Sequence, residues 1–346
     1  MSDGRGCAAA ASAPSSLLRG LIFTTVPTPT PSPEGPAPAT SHRQVWWFTD
    51  HKPGHASQVR GLVNALRAFG DFELVEIDCR RRPTLPATPA RPPLILGAGQ
   101  KSHRPMLRAK QHTGGLAVVL MHPVGPLGHR KPGFDLHVVP EHDDVPAADD
   151  VILTTGALNP LTADGPHDPT RGVMLVGGPA KRYGWDTDQV VERLHGIVER
   201  SPEIRHWVAT SSRRTPDAAV RALARLHEKV EFTPADQTPR GWVAEALAQA
   251  SVAWVTEDSV SMIFESLTAG CRVGLLPLPY RPGYGELYLG WGPGHVAKGI
   301  LLLKERGLVT PWAEWDAGQP LPNPAAPLAE AQRAAELVWK RWEQHP

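Results

Sequence analysis

The chain reads as an α/β protein of two doubly wound, Rossmann-like halves facing a cleft, preceded by a disordered leader. Short, continuous apolar runs recur along it, separated by stretches of helical periodicity, which is the pattern of parallel strands buried on both faces. That pattern breaks once, at a connector rich in Pro, Asp and Gly over 159–171, and then restarts. A length of 346 residues also suits two domains of roughly 100–200 residues each. The expected division is a leader over 1–42, a first half over 43–168 and a second over 169–346, with the last helix returning to pack on the first half.

Each element has a local reason. Residues 45–48, Val-Trp-Trp-Phe, form the first strand. The helix that opens at His55 carries Val59, Leu62, Val63 and Leu66 at i, i+3, i+4 and i+7, one buried stripe. Strands are expected at 74–77, 94–96, 116–121, 134–139 and 151–154, with an Arg/Pro-rich connector over 80–93 and a helix from Gly99 to about Gln111. After the second connector come a strand at 173–176, a helix at 187–199, a strand at 206–209 and a helix at 217–227. A short strand at 230–232 and a helix at 240–250 follow, and a helix over 328–343 closes the chain.

The stretch 254–270 is the most informative. It predicts a strand, a tight polar turn and a short helix with Val260, Ile263, Phe264 and Leu267 on its buried side. Asp258, Ser261, Glu265 and Thr268 fall on the other side, and Gly270 supplies the stop. Free N–H groups and the dipole at the start of such a helix favour an anion. A capped crossover helix has the same pattern, because Asp258, Ser259 and Ser261 are good capping residues whether or not a ligand binds.

Composition narrows the field. A net charge of +1 supplies no field for nucleic acid. Cys7, Cys79 and Cys271 are scattered and odd in number, which gives neither a disulfide framework nor metal spacing and fits a reducing cytoplasm. No apolar run approaches the roughly 18–20 residues of a membrane span. In the leader, the apolar segment 17–23 is broken by Arg19 and Gly20, so it does not read as a secretory signal.

The loops that leave strand ends are unusual. Asp50-His51-Lys52-Pro53-Gly54-His55 follows the first strand and offers a carboxylate, two imidazoles and an ammonium. Histidine is the side chain most readily poised as a general base near neutral pH. Gly97-Ala98-Gly99 follows the third strand, and such glycines more often than not only permit a tight turn. In the second half, Gly177 and Gly178 precede Lys181, a combination able to approach and neutralise a pyrophosphate. Ser211, Ser212, Arg213 and Arg214 offer hydroxyls and two guanidiniums at the next strand end. The turn Glu257-Asp258-Ser259 completes the set. His51, His55, His103, His122, Glu141, His142 and Asp143 invite a metal reading, but none forms a fixed-spacing ligand set, so no metal is expected.

These residues carry a resemblance. The segments 50–55, 134–143 and 155–158, with Gly177-Gly178-Pro179, 210–216 and 256–262, are similar in matching order to the ELM-type mitochondrial-fission family of bacteria and plants. The likeness spans about 44 to 311. Bacterial members are treated as candidate glycosyltransferases of GT-B-like architecture, whereas plant members are known for recruiting a dynamin-like protein. The segment 263–270 also resembles the donor-site helix of nucleotide-sugar GT-B enzymes.

The resemblance implies that Glu265 binds a ribose while the backbone of Ser259, Val260 and Ser261 meets phosphate. His55 or Asp50 would act as base, with Lys52, Pro53, Gly54, Gly97 and Gly99 on the acceptor side. The donor side would comprise Gly177, Gly178, Lys181, Ser211, Ser212, Arg213, Arg214, Glu257 and Asp258. Two departures stand out: His51 replaces a usually small residue, and Asp50 and His55 lack a recognised partner acid.

The expected activity is metal-independent, cofactor-free transfer of a sugar from a nucleotide-diphosphate donor to an envelope glycan or lipid, in the cytoplasm. Peripheral contact with the inner membrane suits such an acceptor, although no basic amphipathic helix demands it. The rival expectations are a non-catalytic recruitment protein on the same fold and a sugar-nucleotide epimerase or hydrolase.

Overall fold

A computed structural model describes residues 43–80, 83–121, 132–283, 286–287, 294–323 and 326–346. The expected leader, Cys7 and His122 lie outside the described residues.

Among the described residues, twelve strands assemble into two six-stranded sheets, and every strand pair in them is parallel. The first sheet uses β1 (Gln44–Thr49), β2 (Glu73–Asp78), β3 (Leu94–Ala98), β4 (Leu116–Leu120), β5 (Leu136–Pro140) and β6 (Val151–Thr154), in the order β2-β1-β3-β4-β5-β6. Helices α1 (Pro53–Leu66) and α2 (Gln100–Thr113) connect its first strands. In β1, Val45 and Trp47 join one apolar cluster while Trp46 and Phe48 join another. That alternation buries the strand on both faces. At about 1.5–3 kcal/mol for each large apolar side chain, these four residues hold β1 firmly between β2 and β3.

The second sheet contains β7 (Asp168–Leu175), β8 (His206–Thr210), β9 (Val230–Thr233), β10 (Ala250–Thr256), β11 (Arg272–Leu276) and β12 (Val309–Pro311). Its order, β9-β8-β7-β10-β11-β12, is that of dinucleotide-binding sheets. The helices are α3 (Thr187–Glu199), α4 (Asp217–Leu223), α5 (Trp242–Gln249), α6 (Val260–Thr268), α7 (His295–Glu305), α8 (Trp312–Asp316) and α9 (Glu330–Glu343). Two doubly wound parallel sheets of this kind make a GT-B-like architecture.

Most predicted elements form, with instructive differences. β7 starts at Asp168, inside the expected connector, because Asp168 pairs with Ala250 and Arg171 with His206. α4 stops at Leu223 rather than His227. Bonds from Arg225 to Ala222 and from Leu226 to Leu223 tighten the chain, and the His227 ring accepts the Lys229 N–H. α7, β12 and α8 were not expected. α9 returns to the first sheet, where Ala334, Val338, Trp339 and Trp342 enter the cluster built on α1.

Contacts between the sheets gather on α6 and α7. Asn159 Nδ2 donates to Thr268 Oγ1 at 2.9 Å, and the His142 ring stacks on Phe264. Around α7, His295 pairs with Asp143, Lys298 with Asp144, and Arg306 with Glu141. Among the described residues no helix is long and apolar enough to cross a membrane.

Candidate active site

In open parallel sheets, ligands collect outside the strand C-termini where the strand order reverses. The first sheet reverses between β1 and β3, and the second between β7 and β10. The candidate residues lie at these two points.

At the first, Asp50 directly follows β1, its side chain only 2% exposed. Both carboxylate oxygens lie 3.1 Å from His55 Nδ1, and Oδ1 also accepts the Lys52 N–H at 3.1 Å. Burial pushes the Asp50 carboxyl upward, but the Lys52 N–H and the His55 ring outweigh it and hold it below its ordinary value. An ionised carboxylate has no proton to give, so His55 Nδ1 is the donor, and Nε2 keeps the lone pair in the neutral ring. The partner acid that the sequence left unassigned is therefore Asp50. Its shielded carboxylate orients the imidazole and leaves Nε2 as the ring nitrogen outside this pair.

Gly99, at φ +80°, lies against the same ring, so a Cβ there would collide with His55. Gly97 serves packing instead: it belongs to β3, and a Cβ would sit 2.6 Å from Met106 Sδ. His51, at φ 59°, turns toward Asp78, 3.4 Å from its carboxylate. Lys52 is exposed beside it.

At the second switch point the loops bind one another. The Gly177 N–H donates to Thr256 Oγ1 at 2.7 Å and the Gly178 N–H to Asp258 Oδ2 at 3.2 Å. Arg214 fastens this turn: Nη1 reaches the carbonyls of Gly178 and Pro179, and Nη2 meets Asp258 Oδ2 at 2.7 Å and Ser259 Oγ at 3.2 Å. Ser211 Oγ accepts the Ala235 N–H, and Ser212 Oγ accepts the Arg214 N–H. Glu257 pairs with Lys304 of α7 at 2.9 Å. The glycines, the serines, Arg214, Glu257 and Asp258 are thus committed within the protein. These bonds tie the strand-end loops to one another, and the Gly-Gly turn lies close to Asp258 and Arg214. Lys181 and Arg213 are exposed cations without a bonded partner among the described residues.

The start of α6 stays open. Ser259 caps no N–H with its side chain, and the first helix-closing bond runs from Ile263 N to Ser259 O. The N–H groups of Val260, Ser261 and Met262 have no acceptor among the described residues. Ser261 and Glu265 line a cavity of about 290 Å³, and Pro53 and Gly54 of α1 line its other side. Glu265 has neither ion pair nor hydrogen bond among the described residues, and burial pushes its carboxyl up to about 7. Among the described residues, no group of three or more His, Cys, Asp or Glu is placed to hold a metal ion.

Three residues that bear on this region escaped the sequence reading. Gln58 and Ser57 line the cavity from α1. Gln58 carries a signal that could have found it, since it is a polar side chain three residues after His55 and next to the apolar stripe. Lys304 comes from α7, a helix the sequence reading lacked.

No curated protein matches this chain by sequence. Among solved structures, MurG of Acinetobacter baumannii is 13% identical, with 86% of this chain and 99% of that chain covered at a TM-score of 0.48. The glycotransferase of kitacinnamycin is 15% identical (88% and 100% covered, TM-score 0.48). The UDP-GlcNAc 2-epimerase from Methanocaldococcus jannaschii is 9% identical (86% and 99% covered, TM-score 0.45). The family model described as mitochondrial fission ELM1 matches residues 53–342, from the first turn of α1 to the last turn of α9, and the chain belongs to that family.

Proposed function

We propose that this protein is a glycosyltransferase that moves a sugar from a nucleotide-diphosphate donor to a hydroxyl-bearing acceptor. One observation carries the reading: α1, which bears His55, and α6, which bears the unpartnered Glu265, line a single cavity. The first turns of α1, on either side of His55 in sequence, and the Glu265 carboxylate thus border one cavity from opposite sheets, while the His55 ring itself lies against Asp50 and Gly99.

In the reaction, His55 Nε2 takes the proton of the acceptor hydroxyl while its oxygen attacks the anomeric carbon. The bond from that carbon to the diphosphate oxygen breaks, and the electron pair leaves with the phosphate. Single displacement inverts the anomeric centre. Asp50 steadies the imidazolium that forms. The departing charge falls on the free amides at the start of α6, and Lys181 and Arg213 offer exposed cations from the loops after β7 and β8. Donors already in place cost no reorganisation during the reaction. Ionised Glu265 accepts hydrogen bonds from the ribose hydroxyls of the donor.

Thermal-shift and calorimetric titration with uridine, guanosine and thymidine diphosphates and their hexose conjugates tests this reading. One nucleotide class should stabilise the protein, by about 2.7 kcal/mol at a hundredfold excess over Kd, and Glu265→Ala should abolish the effect. Inertness toward every conjugate, with the protein folded, overturns the proposal and favours a recruitment role.

A further inference from the structure

Gln58 lies on α1 one turn beyond His55, and its residue surface is only 9% exposed. Its side-chain amide makes no hydrogen bond among the described residues. A primary amide carries two donors and an acceptor, and this one is not sealed into the core: its polar atoms stay open to the cavity that the residue lines. Its immediate neighbour Val59 is fully buried in the apolar cluster beneath α1, so an apolar side chain would suit position 58 better if packing alone mattered. The amide instead borders the 290 Å³ cavity, with Ser57 beside it and Glu265 and Ser261 across from it.

The chemistry of this lining selects a ligand class. Glu265 is acceptor-only when ionised, Gln58 both donates and accepts, and two serine hydroxyls do the same. A carboxylate repels an anion, so this part of the site does not take phosphate. Vicinal hydroxyls on a ring match the set, because each can donate to one partner and accept from another. Pro53, Ala157 and Leu158 add apolar wall for the C–H face of such a ring. The volume of about 290 Å³ lies just below the roughly 300–1,000 Å³ of small-molecule sites, which suits one sugar ring rather than a whole nucleotide-sugar.

We propose that Gln58 is a sugar-binding residue whose amide, together with the Glu265 carboxylate, holds vicinal hydroxyls of one ring from opposite sheets. This rests on the glycosyltransferase reading and extends it: specificity at the ring is shared between the two halves, and binding ties α1 to α6. The ring is either the donor ribose or the transferred hexose.

Calorimetry on the full chain separates the outcomes, using Gln58→Met, which keeps the length of the side chain and removes its hydrogen bonds. The variant should keep the unliganded melting temperature, since the amide makes no hydrogen bond among the described residues, while affinity falls about tenfold. A fall for nucleoside diphosphate and nucleotide-sugar alike assigns the ring as ribose, and a fall for the hexose conjugate alone assigns it as the transferred sugar. Wild-type affinity in Gln58→Met, alongside lost binding in Glu265→Ala, overturns this proposal and leaves the activity standing. A drop of several degrees in the unliganded variant makes Gln58 structural and also overturns it. A wild-type protein that binds no nucleotide removes both readings together.

Discussion

Glu265→Gln should make the unliganded protein more stable, and only above a particular pH. The carboxyl is pushed by burial from its ordinary 4.5 to about 7, so between those values the folded chain holds a proton that the unfolded chain has released. Folding stability therefore falls as pH rises through this window. The stabilising contribution is complete below 4.5 and gone once pH has passed about 7. At about 1.4 kcal/mol per pH unit, the displacement corresponds to at most ~3.5 kcal/mol. Water entering the cavity screens part of that, which leaves about 1–2 kcal/mol as the expected gain. Glutamine keeps the shape without the charge. Wild type and variant should melt together near pH 5 and diverge toward pH 8, with the variant ahead by about 2–5 °C. Differential scanning calorimetry across pH 5–8 reads this directly. A gap that stays constant with pH, or a variant that melts lower throughout, refutes the claim that Glu265 is an uncompensated carboxylate. The same variant should lose nucleotide affinity, so stability and binding move in opposite directions at one residue.

Asp50→Asn should fold normally and lower kcat about a hundredfold or more in a transfer assay, because an amide can accommodate either imidazole tautomer whereas the carboxylate selects the one with Nε2 free. A loss below threefold shows that His55 needs no orienting partner. Gly156→Ala should destabilise by about 2 kcal/mol or more in urea titration, since Gly156 sits at φ +87° against the Phe264 ring and must both strain the backbone and displace an aromatic. Unchanged stability shows that this cross-sheet contact is loose.

Local pattern carried the sheets and most of their helices. Continuous apolar strands and i, i+3, i+4, i+7 stripes are decided by burial within one element, so the bounds of α3 could be read directly. α7 could not. Gly299 interrupts it, and the reason lies elsewhere in the chain, because a Cβ there would come within 3.2 Å of His142 Nδ1. A helix tailored to a distant side chain loses local signal. The site divides along the same line. Its residue types were visible in the strand-end loops, but their pairing was not. Asp50 and His55 are five residues apart, yet Gly99 at another strand end makes the room in which their rings and oxygens meet. Arg214 was visible as a guanidinium at a strand end, but its pairing with Asp258, 44 residues away, was not.

That last pairing bears on the choice between a capped crossover helix and an anion site, which the sequence left even. A capped helix would turn Ser259 Oγ or an Asp258 oxygen back onto the N–H of Ser261 or Met262. Here Asp258 Oδ2 is taken by the Gly178 N–H, the Arg214 guanidinium and the Ser259 hydroxyl. Every side-chain oxygen suited to capping α6 is bonded away from it or, like Asp258 Oδ1, buried without a partner. Arg214, its own side chain 44% exposed, also offsets a carboxylate that would repel phosphate at this position. The helix start is left with free donors and a neutralised neighbour, a state that is unfavourable for an empty crossover and suited to receiving an anion.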